Sequence, residues 1–276
     1  MTIQKSPEIP SFIYGTAWKE LKTSELTQKA IQTGFRAIDT ANQKKHYRED
    51  YVGEALLILQ KQGFSRESLF LQSKYTYVHG QDQRLPYNPS DDFTTQVKSS
   101  FTSSLKNLHT DYLDSYLLHG PISSSGLQDP DWEVWNAMEA LYESGKAKAI
   151  GISNVNLRQL QELTGKAKVQ PKFVQNRCFA SRGWDQQVRE FCLAQGIIYQ
   201  GFSLLTANPQ VVLNPALKAI SKRLGATPQQ LVFRFAKQIG ILPLTGSSDV
   251  QHMQEDLRIS DFELSPNDMQ LIEEIS

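Results

Sequence analysis

The chain has 276 residues, of which 39% are hydrophobic and 21% are charged, a balance typical of a globular protein with a buried core. Its 29 basic and 29 acidic side chains cancel in net charge and are scattered along the sequence, so charge does not favour a nucleic-acid or membrane-surface partner. The first residues lack a signal-peptide pattern and no apolar run is long enough to cross a bilayer, which predicts a cytoplasmic protein.

Short apolar segments alternate with amphipathic ones along nearly the whole chain, as expected for repeated βα units around a parallel sheet. Eight segments are predicted to be strands: SFIYG (11–15), AIDT (37–40), LFLQSK (69–74), YLDSYLLH (112–119), AIGIS (149–153), KFVQN (172–176), IIYQGFS (197–203) and GILPLT (240–245). This count and length predict an α/β fold, a (β/α)8 TIM barrel formed as a single domain by residues 1–276. No GxGxxG turn follows a strand, which disfavours a doubly wound dinucleotide-binding fold.

Two of the segments between the strands have clear helical periodicity. In residues 92–109 an apolar side chain recurs every three or four positions, which predicts an amphipathic helix. Residues 131–146 repeat the pattern and end near Gly145, a residue suited to the left-handed conformation that terminates helices. The long polar connection 77–91 is the candidate for a mobile loop over a site.

In a TIM barrel the active site forms at the carboxyl ends of the strands, so the residues at those ends matter most. They are unusually polar: Asp39, Lys74, His119, Ser153 with Asn154, Gln175 with Asn176, and Ser203. Polar residues there can simply cap the following helix, and for Ser153 alone we favour that role. Lys74 is different, because a lysine in a strand buried on both faces needs a nearby anion such as Asp39.

Seven short motifs together resemble those of the aldo-keto reductase family: GTAW (15–18), GFRAIDTA (34–41), VGEAL (52–56), LQSK (71–74), DYLDSYLLHGP (111–121), GKAKAIGISN (145–154) and GFSLL (201–205). Each motif alone is weak, but the series covers almost the full chain in the right order. The resemblance implies an NAD(P)H-dependent reductase of aldehydes or ketones on a (β/α)8 barrel, with a catalytic tetrad of Asp, Tyr, Lys and His. By position, Asp39, Lys74 and His119 match three members of that tetrad.

The tyrosine of the tetrad is where the sequence departs from the family pattern. The family spaces the aspartate and the tyrosine as D-x4-Y, whereas the first tyrosine after Asp39 is Tyr47, at a D-x7-Y spacing. When positions are counted back from VG (52–53), His46 aligns with the family tyrosine instead. We predict Tyr47 as the proton donor, because a phenol suits a developing alkoxide and a slightly longer connection can still deliver it. His46 is the alternative, and Tyr51 is predicted to serve in packing.

Carbonyl reduction needs a hydride on carbon and a proton on oxygen, with stabilisation of the negative charge that grows there. The resemblance implies that a nicotinamide supplies the hydride. We expect the ammonium of Lys74 to lower the pKa of Tyr47 by stabilising the phenolate, and Asp39 to hold Lys74 charged and aimed. His119 is expected to donate to, or orient, the substrate oxygen and to relay a proton.

The resemblance also implies a cofactor site at the ends of the later strands. Ser153, Asn154 and Gln175 would contact the nicotinamide carboxamide, and Phe202 would stack on the ring in place of the usual tyrosine. The full predicted set is Thr16, Ser153, Asn154, Gln175, Phe202, Ser203, Leu205, Gly246, Ser247, Ser248, His252 and Asp256.

The part of that site which would bind the 2′-phosphate departs from the family. At these positions, family members usually carry Lys-Ser, followed by an Arg and then by Glu-Asn. This chain instead carries Gly246 and Ser247, followed by His252 and then by Glu255 and Asp256. Phosphate recognition prefers the permanent cations that are missing at these positions. We still predict NADP(H) ahead of NAD(H), because Ser247, Ser248 and a protonated His252 can hold a phosphate.

Trp18 and, from the long polar loop, Tyr87 are predicted to line the substrate pocket. The sequence ends at MQLIEEIS, without the tail that closes the pocket in many family members, so we expect an open pocket. Together these features predict tolerance of bulky or aromatic carbonyl substrates.

Two other interpretations compete with a reductase. A regulatory barrel that binds nucleotide but turns over weakly would explain the altered tyrosine spacing and phosphate site. A barrel isomerase or aldolase with Lys74 as a Schiff-base amine is chemically reasonable, but it does not account for GISN or GFSLL.

No segment indicates an obligate interface, so a monomer is expected. Cys178 and Cys192 lack metal-ligand spacing and are predicted to be buried thiols, with no metal site.

Overall fold

The computed structural model describes residues 9–275, and its centre is a closed barrel of eight parallel strands. The strands are β1 (Ile13–Gly15), β2 (Ala37–Asp39), β3 (Phe70–Tyr75), β4 (Ser115–Leu118), β5 (Ile150–Ser153), β6 (Phe173–Arg177), β7 (Ile198–Phe202) and β8 (Leu242–Thr245). Each strand pairs with its neighbour in chain order, and β8 pairs with β1 to close the barrel. The predicted (β/α)8 barrel is confirmed, and each predicted segment overlaps one of these strands.

Helices cover the outside of the barrel. They are α1 (Thr23–Thr33), α2 (Glu49–Lys61), α3 (Phe93–Leu108), α4 (Asp129–Glu143), α5 (Leu157–Lys166), α6 (Gln186–Ala194), α7 (Pro209–Leu213), α8 (Pro215–Leu224), α9 (Pro228–Gln238), α10 (Val250–Leu257) and α11 (Pro266–Glu273). Both helices predicted in detail are present as α3 and α4, and Gly145 has the predicted left-handed backbone, with φ 76°. Between residues 9 and 275, no helix has the length and apolar character required to cross a membrane.

The barrel interior changes from apolar to polar toward the carboxyl ends of the strands. Alternate side chains on each strand point inward. Apolar side chains fill the first part, among them Ile13, Ala37, Phe70 and Phe173. Farther along β3, β6 and β7 the buried inward residues are Gln72, Gln175 and Gln200. The predicted catalytic residues lie at the polar end. Cys178 and Cys192 are buried, as predicted.

The two connections that follow β2 and β3 are tied to each other. The side chain of Gln43 donates to the Gly80 carbonyl at 2.5 Å, and the side chain of Gln81 donates to the Asn42 carbonyl at 2.9 Å. The loop 77–91 is therefore anchored along its first part. Its expected mobility stays a prediction.

Candidate active site

The carboxyl ends of the strands surround a cavity of about 920 Å³. Ligand pockets usually measure about 300–1,000 Å³, so this one has room for a large ligand. The predicted site residues that line it are Trp18, Asp39, Tyr47, His119, Ser153, Asn154, Gln175, Phe202, Ser203, Leu205, Gly246, Ser247, His252 and Asp256. The structure thus brings most of the predicted catalytic and cofactor residues together around one cavity.

Three of the other predicted residues lie away from the cavity surface. Thr16 is buried, and its hydroxyl donates to the Asp39 carbonyl at 3.0 Å, so it joins β1 to β2. Ser248 is exposed at the protein surface. Tyr87 is buried below the cavity wall, where its hydroxyl donates to the Thr76 carbonyl at 2.6 Å. The loop that carries Tyr87 lines the cavity with other residues, namely Tyr77, His79 and Gly80.

Lys74 lies beneath the cavity, in a buried ion pair with Asp39. Its ammonium donates to the two Asp39 carboxylate oxygens, both at 2.7 Å, and to the Thr40 carbonyl at 2.9 Å. An ammonium has three donors, so all of them are engaged. Burial lowers the pKa of Lys74, and the carboxylate of Asp39 opposes that shift. The expected pairing of the two residues is confirmed.

A turn in the connection between β2 and α2 brings Tyr47 to this pair. The backbone N–H groups of His46 and Tyr47 both donate to the Gln43 carbonyl, at 3.1 and 2.9 Å, which wraps the chain like one turn of helix. The Tyr47 ring centre lies 5.3 Å from the Lys74 ammonium and 6.0 Å from the His119 ring centre. Tyr47 is therefore the aromatic residue beside Lys74 and His119.

His46 turns the other way and stacks on Trp18. The centres of their rings are 3.9 Å apart, and the backbone N–H of Trp18 donates to the His46 backbone carbonyl at 2.8 Å. The Nδ1 atom of His46 lies 3.0 Å from the side-chain oxygen of Gln43. His46 thus forms part of an aromatic wall of the cavity.

The pKa of Tyr47 differs in direction from the sequence-based expectation. Burial, and then the negative charge of Asp39, raise it above its ordinary value, whereas we expected Lys74 to lower it. The reason lies in the hydrogen bonds of Lys74: its donors bind Asp39 and Thr40, so none is directed at the phenol oxygen. Desolvation by burial is the larger of the two causes, and the charge of Asp39 acts in the same direction. The expectation of a lowered pKa is wrong for this arrangement.

His119 is neutral in this environment. Burial and the nearby positive charge of Lys74 hold its pKa well below the ordinary value. Its Nδ1 lies 2.6 Å from the Thr76 hydroxyl, and its backbone carbonyl accepts a hydrogen bond from the Asn154 side chain at 2.7 Å. Both ring and backbone are thus fixed at the cavity surface.

The residues at the ends of β5 and β6 hold each other in place. The Ser153 hydroxyl donates to the Gln175 carbonyl at 2.6 Å and so joins the two strands. Asn154 has φ 52°, in the left-handed region that Asn tolerates better than most residues. Gln175 and Phe202 both line the cavity.

A lysine and a buried carboxyl group meet the loop that follows β8. The ammonium of Lys19 donates to the Gly246 carbonyl, and a Cβ atom at Gly246 would lie 3.5 Å from it. Asp256 is 4% exposed, and burial raises its pKa to about 6. Partial burial also lowers the pKa of Lys19. This side of the cavity therefore combines a cation with a carboxyl group that titrates near neutrality.

Several polar residues of the cavity surface were not predicted as site residues from the sequence, among them Lys19, Gln43, Thr76 and Arg177. Two had a usable signal. Arg177 follows Gln175 by two positions on one strand, which puts both on the same face. Lys19 directly follows the GTAW motif. Gln43 lies in the connection that departs from the family spacing, so no motif marks it.

Comparison with known proteins agrees with this architecture. A model of the aldo/keto reductase family matches residues 14–276. Glyoxal reductase from Bacillus subtilis (strain 168) is 32% identical over 255 residues, which cover 92% of this chain and 84% of that protein. Prostaglandin F synthase 1 from Bos taurus is 30% identical over 296 residues, which cover 96% of this chain and 87% of that protein. The solved structure of the aldose reductase from Schistosoma japonicum has a TM-score of 0.82 and 25% identity, covering 96% of this chain and 88% of that one. The chain therefore belongs to the aldo/keto reductase family, whose members are oxidoreductases that act on carbonyl compounds and use nicotinamide cofactors.

Proposed function

We propose that the chain reduces an aldehyde or ketone to an alcohol with a nicotinamide dinucleotide, using Tyr47 as the proton donor. One observation carries the proposal: Tyr47 and His119 face the same cavity beside the buried pair of Asp39 and Lys74. The nicotinamide, when bound, supplies the hydride. The residues of the chain then have to bind the carbonyl oxygen, stabilise its growing charge and protonate it.

His119 is suited to bind that oxygen as a neutral donor. When the Thr76 hydroxyl donates to Nδ1, the other ring nitrogen, Nε2, carries the proton and can donate to a ligand. Because the imidazole stays neutral, its hydrogen bond strengthens as negative charge grows on the oxygen without a proton leaving the ring.

Tyr47 would then give up its proton. A raised pKa keeps the phenol protonated at neutral pH, so the donor is available at the start of each turnover. An alkoxide is a stronger base than a phenolate, so the transfer remains favourable. We infer that Lys74 stabilises the resulting phenolate by exchanging its bond to the Thr40 carbonyl for one to the tyrosine oxygen, while Asp39 retains the ammonium.

The cavity lining supports a dinucleotide site. We propose that Asn154, Gln175 and Phe202 hold the nicotinamide. Ser203 and Leu205 would hold the pyrophosphate, and Gly246, Ser247 and His252 the phosphate on the adenosine. NADP(H) ranks ahead of NAD(H) in this proposal because Lys19 supplies an ammonium at Gly246, where the family usually carries a lysine. The carboxyl group of Asp256 opposes that preference.

Trp18 and His46 support an aromatic carbonyl as substrate. The Trp18 side chain is 69% exposed at the cavity mouth and its ring lies against His46, so together they offer a flat surface to a planar ligand. From the sequence patterns described above, we also propose that the protein is a cytoplasmic monomer.

A regulatory barrel with weak turnover is the second candidate. One observation favours it: all three donors of Lys74 are engaged away from the phenol of Tyr47. In that case the chain would bind the dinucleotide but leave the carbonyl compound unchanged.

The test is the loss of nicotinamide absorbance when purified protein meets an aromatic aldehyde, run in parallel with NADPH and NADH, together with calorimetric titration of each cofactor. A reductase consumes cofactor only when aldehyde is present, and faster with NADPH. Cofactor binding without consumption would favour the regulatory barrel, and absence of binding would contradict the proposed site.

A further inference from the structure

Inside the barrel, below the cavity, three glutamines and Asp39 form one hydrogen-bond network. The side chains of Gln72 and Gln200 are fully buried and bind each other amide to amide, at 2.8 and 3.0 Å. Gln175 donates to the side-chain oxygen of Gln200 at 2.9 Å and to the Asp39 carboxylate at 3.0 Å. Gln72 donates to the same carboxylate oxygen at 2.7 Å. Four strands are thus linked through side chains alone.

The chemistry of the carboxylate fixes which way each amide faces. An ionised carboxylate accepts hydrogen bonds but donates none, so Gln72 and Gln175 must both turn their NH2 groups toward Asp39. The same two NH2 groups also face Gln200, which must therefore present its oxygen to them. Its own NH2 group then meets the remaining oxygen of Gln72. The geometry leaves one amide orientation for each glutamine.

This arrangement leaves the side chain of Gln175 with one free group, its oxygen, which is an acceptor. Both N–H groups of the Gln175 side chain are engaged, by Asp39 and by Gln200. Gln175 lines the cavity, so the atom it offers to a ligand is the side-chain oxygen. A group bound there has to donate an N–H or O–H.

We propose that Gln72 and Gln200 are positioning residues that lock the amide of Gln175, so that the cavity selects a nicotinamide by the NH2 group of its carboxamide. The inference rests on the proposed function, since it concerns the same cofactor. It also explains why the polar side chains of Gln72 and Gln200 are fully buried, although neither lines the cavity and Asp39 is the only charged group to which they bind. Rotation of the Gln175 amide would set its oxygen against two acceptor oxygens, those of Asp39 and Gln200, and this repulsion keeps the amide in place.

The test compares binding of two ligands that differ at the carboxamide alone. The oxidised dinucleotide and its 3-acetylpyridine analogue are titrated by calorimetry; the analogue has a methyl group in place of the NH2 group and cannot donate. Wild-type protein is expected to bind the natural cofactor roughly tenfold more tightly, the equivalent of about one hydrogen bond.

In Gln200→Met, which keeps the side-chain volume, Gln175 loses one of the two acceptors that fix it. The preference is then expected to fall to about threefold, because half of the orienting contacts remain. Gln72→Met, which releases Gln200, provides a second variant with the same direction of change. Gln96→Met is the matched control: Gln96 is buried too, but it accepts from Tyr75 and donates to the Asp91 carbonyl away from the network. It should retain the tenfold preference.

The ratio of the two affinities separates a loss of positioning from general damage to the fold, because a loosened fold weakens the binding of both ligands by the same factor. An unchanged ratio in Gln200→Met and Gln72→Met would overturn the inference even if both variants bound weakly. Equal binding of the two ligands by the wild-type protein would overturn it as well. Failure of the wild-type protein to bind either dinucleotide would instead contradict the proposed function.

Discussion

Replacing Lys74 by Met removes an ammonium ion that the structure has fully enclosed. Asp39 is only 3% exposed in the structure, and without Lys74 its carboxylate would keep hydrogen bonds only from the side chains of Gln72 and Gln175. Breaking a buried pair by removing one partner costs about 3–5 kcal/mol of folding free energy, because the remaining charge has no counter-ion. Asp39→Asn is expected to cost a similar amount, since Lys74 then keeps its charge without a carboxylate.

The double variant tests whether these costs share one cause. With both charges gone, neither partner is left unpaired, so the double variant should lose about 3 kcal/mol less than the sum of the two single losses. Urea unfolding at pH 7 of the four proteins measures this coupling. Lys29→Met is the control, because Lys29 pairs with Glu25 on the exposed face of a helix and little change is expected. Additive losses would refute the claim that the pair is mutually dependent.

Three further predictions follow from the pKa shifts and the cavity wall. Because the pKa of His119 is lowered in the folded protein, below about pH 6.5 the unfolded chain binds a proton on this histidine that the folded protein does not bind. Folding stability should therefore fall as the pH falls below that value. Urea midpoints at pH 7 and pH 5 should therefore differ less in His119→Gln than in wild type, and equal differences would argue against a neutral His119. Asp256, with a pKa of about 6, should repel the phosphate of NADPH more strongly above that pH. The affinity for NADPH relative to NADH should rise as the pH falls through 6, and Asp256→Asn should weaken this trend. Trp18→Ala removes the exposed half of the aromatic wall and should raise the KM for an aromatic aldehyde about tenfold relative to a small aliphatic one; equal effects on both would show that Trp18 does not select the substrate.

The barrel could be predicted because each βα unit has a recognisable sequence pattern, a short apolar segment followed by an amphipathic one. LFLQSK and KFVQN alternate between the two faces of a buried sheet, and both strands lie within one residue of the predicted bounds. The connection between β7 and β8 contains three helices, α7, α8 and α9, which were not predicted individually from the sequence. Each of these helices begins with a proline, at Pro209, Pro215 and Pro228, and a proline at the first helical position is a signal for such a start.

The positions of site residues could be predicted where the residue lies at the carboxyl end of a strand. Asp39, Lys74 and His119 are fixed by the strands themselves, so their positions follow from the fold. Tyr47 depends instead on a turn centred on the Gln43 carbonyl, and spacing alone did not decide between it and His46. The direction of the Tyr47 pKa shift depends on where the donors of Lys74 point, which no sequence pattern records.

The identity of the proton donor is the central claim, and Tyr47→Phe tests it most directly. Reduction of an aromatic aldehyde at saturating cofactor should fall by about 10²–10⁴ in kcat, the usual contribution of a general acid, while cofactor affinity stays unchanged. His46→Ala should keep kcat within about tenfold of wild type, because His46 touches Trp18 rather than Lys74. Tyr51→Phe, whose ring packs under Arg48, is the matched control and should behave like wild type. Near-normal turnover in Tyr47→Phe together with its loss in His46→Ala would contradict the account.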